Sequence, residues 1–239
     1  MRLLLISNST NAGEEFLTYP LPHIKNFLGE EKIECLFIPY ASVCKPWDDL
    51  ANLVNERFGR IGFSIKSIHS FDDPVEAVKN ARAIVVSGGN TWHLLQHIHK
   101  NKLIEPIRER VLAGTPYIGW SAGANLACPT IKTTNDMQVT DPLGVDALNL
   151  VPFQINPHFL STEDDLNVKI HGGETREQRI VEYIEVNPNV YVVGLREGCM
   201  FIRENSKLRL VGKRNLRLFK KGDAPQELTP DTDFSFLLE

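Results

Sequence analysis

The hydrophobic positions change period along the chain. In the first half, short apolar runs at Leu3–Ile6, Cys35–Ile38, Phe63–Ile68, Ala83–Val86 and Tyr117–Gly119, several of them continuous, predict strands. Runs without polar alternation belong to strands covered on both faces. Between them the apolar residues recur at helical spacing over Glu14–Leu28, Trp47–Arg60, Pro74–Lys79 and Thr91–Val111. The punctuation agrees. Asp48-Asp49 put negative charge in a first turn, Gly59 marks a last one, and Asp73-Pro74 is a cap followed by proline at the first helical position. Strands and helices alternating in this way predict an α/β fold with a mostly parallel, doubly wound sheet.

From Thr130 to Gly173 the periodicity lapses, and Asn, Asp, Pro, Thr and Gly dominate. An irregular segment of that length in a compact domain is usually functional. A helix resumes at Glu174–Val186, stopped by Asn187-Pro188, and Val190–Gly194 reads as a further strand. In the tail Leu208/Leu210 and Leu216/Leu218 alternate with basic residues, and Asn205-Ser206 offers a turn. That pattern predicts antiparallel hairpins added to one edge of the sheet. With no repeat, low-complexity run or linker, residues 1–239 are expected to form one domain.

Composition narrows the function classes. A chain of 239 residues with 42% hydrophobic positions can bury a core that needs neither disulfide nor metal. Lys+Arg 26 against Asp+Glu 30 leaves a net charge of −4, so there is no basic footprint for nucleic acid or an anionic membrane. The apolar run Leu3–Ile6 ends at Ser7-Asn8-Ser9, short of the ~7–15 apolar residues of a secretion signal or the ~20 of a spanning helix. Cys35, Cys44, Cys128 and Cys199 form no CxxC pair, as expected of reduced thiols in a cytoplasmic protein.

In an open parallel sheet, ligands bind beyond the C-terminal strand ends. There the strand Tyr117–Gly119 runs into Gly119-Trp120-Ser121-Ala122-Gly123 and then small, helix-compatible residues. This is a G-x-S-x-G nucleophile elbow in its strand–turn–helix setting, which throws the serine hydroxyl out above the sheet. The flanking context, not the bare motif, lifts Ser121 above a decorative turn. A second exit, Ser87-Gly88-Gly89-Asn90, precedes a helix start at Thr91. Its amides at Gly88 and Gly89, with that of Ala122, could line an oxyanion hole; the plain alternative is an ordinary glycine turn.

A serine nucleophile needs a base. His93, His97 and His99 share one helical stretch; the His93/His97 spacing suits a metal face, but Leu94 stands where the H-E-x-x-H motif has glutamate. No metal and no cofactor are therefore expected. His23 and His69 lie among strand and helix patterns without polar company, and His171 precedes Gly172-Gly173 in a loop. His158, after Gln154-Ile155-Asn156-Pro157, is the best base. Its acid partner, which fixes the tautomer, is either Asp136 in the polar loop or Glu197 just past the strand Val190–Gly194. A strand end is the more rigid platform, which favours Glu197.

Taken together, Gly119-Trp120-Ser121-Ala122-Gly123-Ala124-Asn125, Thr133-Thr134-Asn135-Asp136-Met137, Gln154-Ile155-Asn156-Pro157-His158-Phe159 and Gly173-Glu174-Thr175-Arg176-Glu177-Gln178-Arg179 resemble the dipeptidase E (peptidase E) family, bacterial α-aspartyl dipeptidases. Ser7-Asn8-Ser9-Thr10 and Gly88-Gly89-Asn90-Thr91 match as well, and the match weakens from about Cys199 onward. The resemblance implies a three-layer α/β/α sandwich of the class I glutamine amidotransferase-like superfamily. It also implies metal-free hydrolysis of dipeptides with N-terminal aspartate, Ser121 as nucleophile and His158 as base. The family's acid corresponds to Asp136 or Glu197, so the choice stays open. Arg176 matches the arginine that recognises the substrate aspartate, a natural fork for a carboxylate; its plain alternative is a surface pair with Glu174 or Glu177. Ser87 departs from the family, where a third glycine is common. Two rivals remain: a cyanophycinase-like or amidotransferase-like hydrolase, and a flavodoxin-like module binding phosphate on Ser7-Asn8-Ser9-Thr10-Asn11-Ala12-Gly13.

Overall fold

Neighbouring side chains of a strand point to opposite faces, and the continuous apolar runs use both. Leu3 and Leu5 of β1 (Arg2–Ile6) lie in one buried cluster, Leu4 and Ile6 in another. The division runs on through β2 (Glu34–Ile38), β4 (Ile84–Val86) and β5 (Tyr117–Trp120). Leu36, Ile38, Ile84, Val86 and Tyr117 face the first cluster; Cys35, Phe37, Val85, Ile118 and Trp120 face the second. Helices α1 (Leu21–Leu28) and α2 (Trp47–Gly59) cover the second face. The first face is covered by α3 (Pro74–Lys79), α4 (Thr91–Lys100), α5 (Ile104–Leu112) and α6 (Ala122–Leu126). The three-layer α/β/α sandwich follows from this two-faced burial. It is seen in a computed structural model that describes residues 1–161 and 172–239.

The main sheet has seven strands in the order β3-β2-β4-β5-β1-β8-β9, with β3 (Ser64–Ser67) at one edge. The pairs from β3 to β1 are parallel; β8 (Met200–Glu204) and β9 (Lys207–Val211) then extend the other edge antiparallel. A second sheet of four strands runs β11-β10-β7-β6. In it β6 (Gln154–Asn156) and β7 (Val192–Gly194) are parallel, and β10 (Leu216–Phe219) and β11 (Gln226–Leu228) complete it antiparallel. The tail hairpins therefore divide: β8-β9 extends the main sheet as expected, whereas β10 and β11 join the second. Ile155 of β6 and Val193 of β7 belong to the same buried cluster as Leu3 and Leu5, so one core joins the sheets.

Three helices differ from their sequence readings. The run Glu14–Leu28 is helical only from Leu21, because Leu17 sits at φ 60 and Pro20 forms the N-cap. Thr91–Val111 divides in two where Lys102 turns to φ 54 and the Asn101 amide donates to the His97 carbonyl at 2.8 Å. The third, α7 (Arg176–Val186), starts behind a capping box in which Thr175 and Gln178 exchange side-chain and backbone bonds.

Candidate active site

Ser121 stands between the end of β5 and the start of α6, at φ 53 and ψ −111. Residues with a Cβ avoid that conformation, so the surroundings must hold it. The glycines on either side explain how so tight a bend closes. A Cβ on Gly119 would lie 2.3 Å from the Gly123 carbonyl oxygen, and one on Gly123 would lie 2.4 Å from that of Val86. The Ser121 amide donates to the Ile6 carbonyl of the neighbouring strand at 2.9 Å.

His158 follows β6, also at positive φ, 52. Its Nε2 lies 2.9 Å from Ser121 Oγ, and its Nδ1 lies 2.6 Å from Glu197 Oε1. The chain Ser–His–Glu is thus continuous, with the imidazole bonded at both nitrogens. Parallel pairing of Asn156 with Gly194 sets the register that delivers His158 and Glu197 to one place from residues 39 apart.

Asp136 is elsewhere engaged. Its Oδ2 accepts from the Thr91 amide at 2.7 Å, the Thr91 hydroxyl at 2.6 Å and the Thr134 hydroxyl at 3.0 Å. It therefore sits on the N-terminal turn of α4, where amides lack intrahelical acceptors and negative charge is favoured. Arg176 opens α7 and faces the same cleft of about 490 Å³ that Ser121, His158, Asp136, Gly88 and Gly89 line. Glu174 pairs with Arg179 at 3.3 Å and Glu177 with Arg217 at 3.1 Å.

Gly88 and Gly89 approach so closely that neither position has room for a side chain. A Cβ on Gly88 would lie 3.0 Å from that of Ser121, and one on Gly89 would lie 2.2 Å from the Ala41 carbonyl oxygen. The Ala122 amide, in the first turn of α6, has no intrahelical acceptor. Gly88 thus lies against Ser121, and Gly88 and Gly89 both line the cleft in front of it. Ser87, just before them, is buried, and among the described residues its hydroxyl has no hydrogen-bond partner.

Among the described residues no histidine besides His158 lines this cleft. His93 Nδ1 is 2.6 Å from the Tyr40 carbonyl, and its ring meets His97 edge-on at 4.7 Å. His69 lies between Ser67 and Asp48, and His99 meets the Asp146 carbonyl. Burial pushes the His97 imidazole below its ordinary pKa, with His93 adding to the effect, and burial likewise lowers His23. Among the described residues no three His, Cys, Asp or Glu side chains converge as a metal site would require. His171 lies outside the described residues.

Phe16 and Leu50 had no motif to mark them; with Trp120 and Pro157, which lie inside the serine and histidine motifs, they give the cleft an apolar wall. Asn135, in the polar Thr133–Asp136 run, donates to the Pro157 carbonyl at 2.7 Å and so braces the turn before His158.

Comparison with known proteins gives a consistent result. Residues 3–211 match the model of peptidase family S51. The chain is 49% identical over 238 residues to the peptidase E of Nostoc sp., covering 100% of this chain and 97% of that one. It is 45% identical over 223 residues to the peptidase E of Salmonella paratyphi A, covering 93% and 95% respectively. Its fold resembles the crystal structure of a peptidase from an acI-B1 actinobacterium, at a TM-score of 0.69 and 19% identity over 98% and 96% of the two chains.

Proposed function

The chain belongs to peptidase family S51 and is a peptidase; from that premise we propose that it is a metal-independent serine dipeptidase, hydrolysing α-linked Asp-Xaa dipeptides in the cytoplasm. The observation that carries the reading is the unbroken contact from Ser121 Oγ through His158 to Glu197 in a cleft shared with Arg176. Four free cysteines agree with a reducing compartment.

The side-chain carboxylate of the N-terminal aspartate meets the Arg176 guanidinium, which places the peptide carbonyl over Ser121. His158 takes the Ser121 proton as Oγ attacks, and Glu197 keeps the imidazole in the tautomer that can accept it. The negative charge that develops on the carbonyl oxygen falls to the amides of Gly88, Gly89 and Ala122. His158 then passes its proton to the leaving amine, and the C–N bond breaks to leave an aspartyl ester on Ser121. Water, deprotonated by His158, releases aspartate.

Specificity tests the reading. Arg176→Gln is expected to lower kcat/KM for Asp-Leu by about 10- to 100-fold, the worth of a hydrogen bond to a charged partner, and to leave Asn-Leu unaffected. Equal losses on both peptides would remove Arg176 from substrate recognition. Turnover of β-linked aspartyl peptides or glutamine instead of Asp-Leu would favour the cyanophycinase-like or amidotransferase-like reading.

A further inference from the structure

The stretch that leaves β1 touches Ser121, His158 and the residue that follows Glu197. The Ile6 carbonyl accepts the Ser121 amide at 2.9 Å. Ser7, next in sequence and fully buried, accepts the His158 amide on its Oγ at 2.9 Å and donates from the same hydroxyl to the Leu195 carbonyl at 2.8 Å. Asn8, also buried, accepts on Oδ1 from the Gly198 amide at 2.8 Å, one residue beyond Glu197. Tyr19 donates to that same Oδ1 at 2.6 Å. Burial pushes the Tyr19 hydroxyl well above its ordinary range, so it remains a donor.

From this arrangement we propose that Ser7 and Asn8 are positioning residues: they act through His158 and Glu197 by fixing both to the strand that also anchors Ser121. The proposal rests on the triad reading above. Ser121 belongs to the main sheet, whereas His158 and Glu197 follow strands of the second. The 2.9 Å contact of Ser121 with His158 crosses that boundary and needs a rigid tie at the point of contact. Ser7 supplies it, because its hydroxyl is committed in both directions and cannot rotate without stranding the His158 amide or the Leu195 carbonyl. The tie also answers a local need. His158 is held at φ 52, a conformation that persists only where neighbours enforce it. The Ser7 and Asn8 side chains thus have their polar groups engaged by the protein itself.

The test uses the rate at which a fluorophosphonate labels Ser121, followed against pH, since this reads the base without any peptide substrate. Ser7→Ala and Asn8→Ala are expected to slow labelling by about 10- to 100-fold, the cost of misplacing a reacting group by about an ångström. They should also shift the pH midpoint of labelling, while Ser7→Thr, which keeps the hydroxyl, restores both. Where Ser7→Ala does not fold, Ser7→Cys carries the same comparison, with similar volume and a weak donor and acceptor. Folded Ser7 and Asn8 variants labelled at the wild-type rate with an unchanged midpoint would overturn the proposal. Wild type that escapes labelling would overturn the triad reading, and this inference with it. Labelled wild type that fails to cleave Asp-Leu would leave the positioning role standing and remove only the substrate assignment.

Discussion

Ser121 and His158 occupy backbone positions, φ 53 and 52, that residues with side chains rarely adopt. Each such conformation costs on the order of 1–3 kcal/mol and marks where a fold spends stability on geometry. Ser121, the proposed nucleophile, was legible in the sequence because its strain leaves a local trace, the glycines at 119 and 123 that a Cβ would drive into backbone. The proposed acid was legible only as a preference for Glu197 at a strand end over Asp136. Glu197 and Asp136 are both loop carboxylates, and only the register of β6 on β7 brings one of them to His158. The two acids predict opposite signatures. Glu197→Gln should lower kcat by about 10²–10⁴-fold, as losing the partner of a catalytic imidazole does, with little change in melting temperature. Asp136→Ala should cost about 1–2 kcal/mol as a lost helix-end acceptor, measured by urea unfolding, and should leave kcat within about tenfold. The reverse pattern would exchange their roles.

At the scale of elements, strands were read well because burial on both faces forces a continuous apolar run. Helix boundaries were read less well because they depend on single residues. Lys102 at φ 54 splits one periodic stretch into α4 and α5, and nothing in its apolar spacing announces the break. Helix α4 also gathers His93 and His97 against Tyr40 and Trp47, whose ring His69 meets as well at 5.5 Å. Burial holds His97 below the ordinary 6.5, so the folded chain takes up its proton less readily than the unfolded one. The stability this group contributes is complete above about 6.5 and falls as the pH drops from there towards the lowered folded value. His97→Gln should therefore flatten the loss of unfolding free energy between about pH 7 and pH 5, measured by urea unfolding at both. A slope as steep as wild type would show that His97 does not titrate in this way.

At the scale of the whole molecule, the proposed catalytic chain spans two sheets that share one core. The parallel half was evident from the βα rhythm. The second sheet was not, since β6 and β7 have only three residues each and lie 35 residues apart from end to start, with pairing set by tertiary packing. Among the described residues no helix is long and apolar enough to cross a membrane. Burial of the thiols gives a global readout: Cys35 and Cys128 are pushed up to about 12, and Cys199 is buried with them. Exposed Cys44 should react alone with a disulfide reagent in the native protein, and all four cysteines should react in denaturant. More than one fast equivalent in the native protein would contradict this packing.

Ser121 is proposed to cleave peptides with N-terminal aspartate. Hydrolysis of Asp-Leu beside Leu-Leu, with a chelator present, by wild type and by Ser121→Ala tests it most directly. Cleavage of Asp-Leu alone is expected, unchanged by chelator and reduced about 10⁴-fold or more in the folded variant. Folded wild type that cleaves neither peptide, or activity that survives in Ser121→Ala, would contradict it.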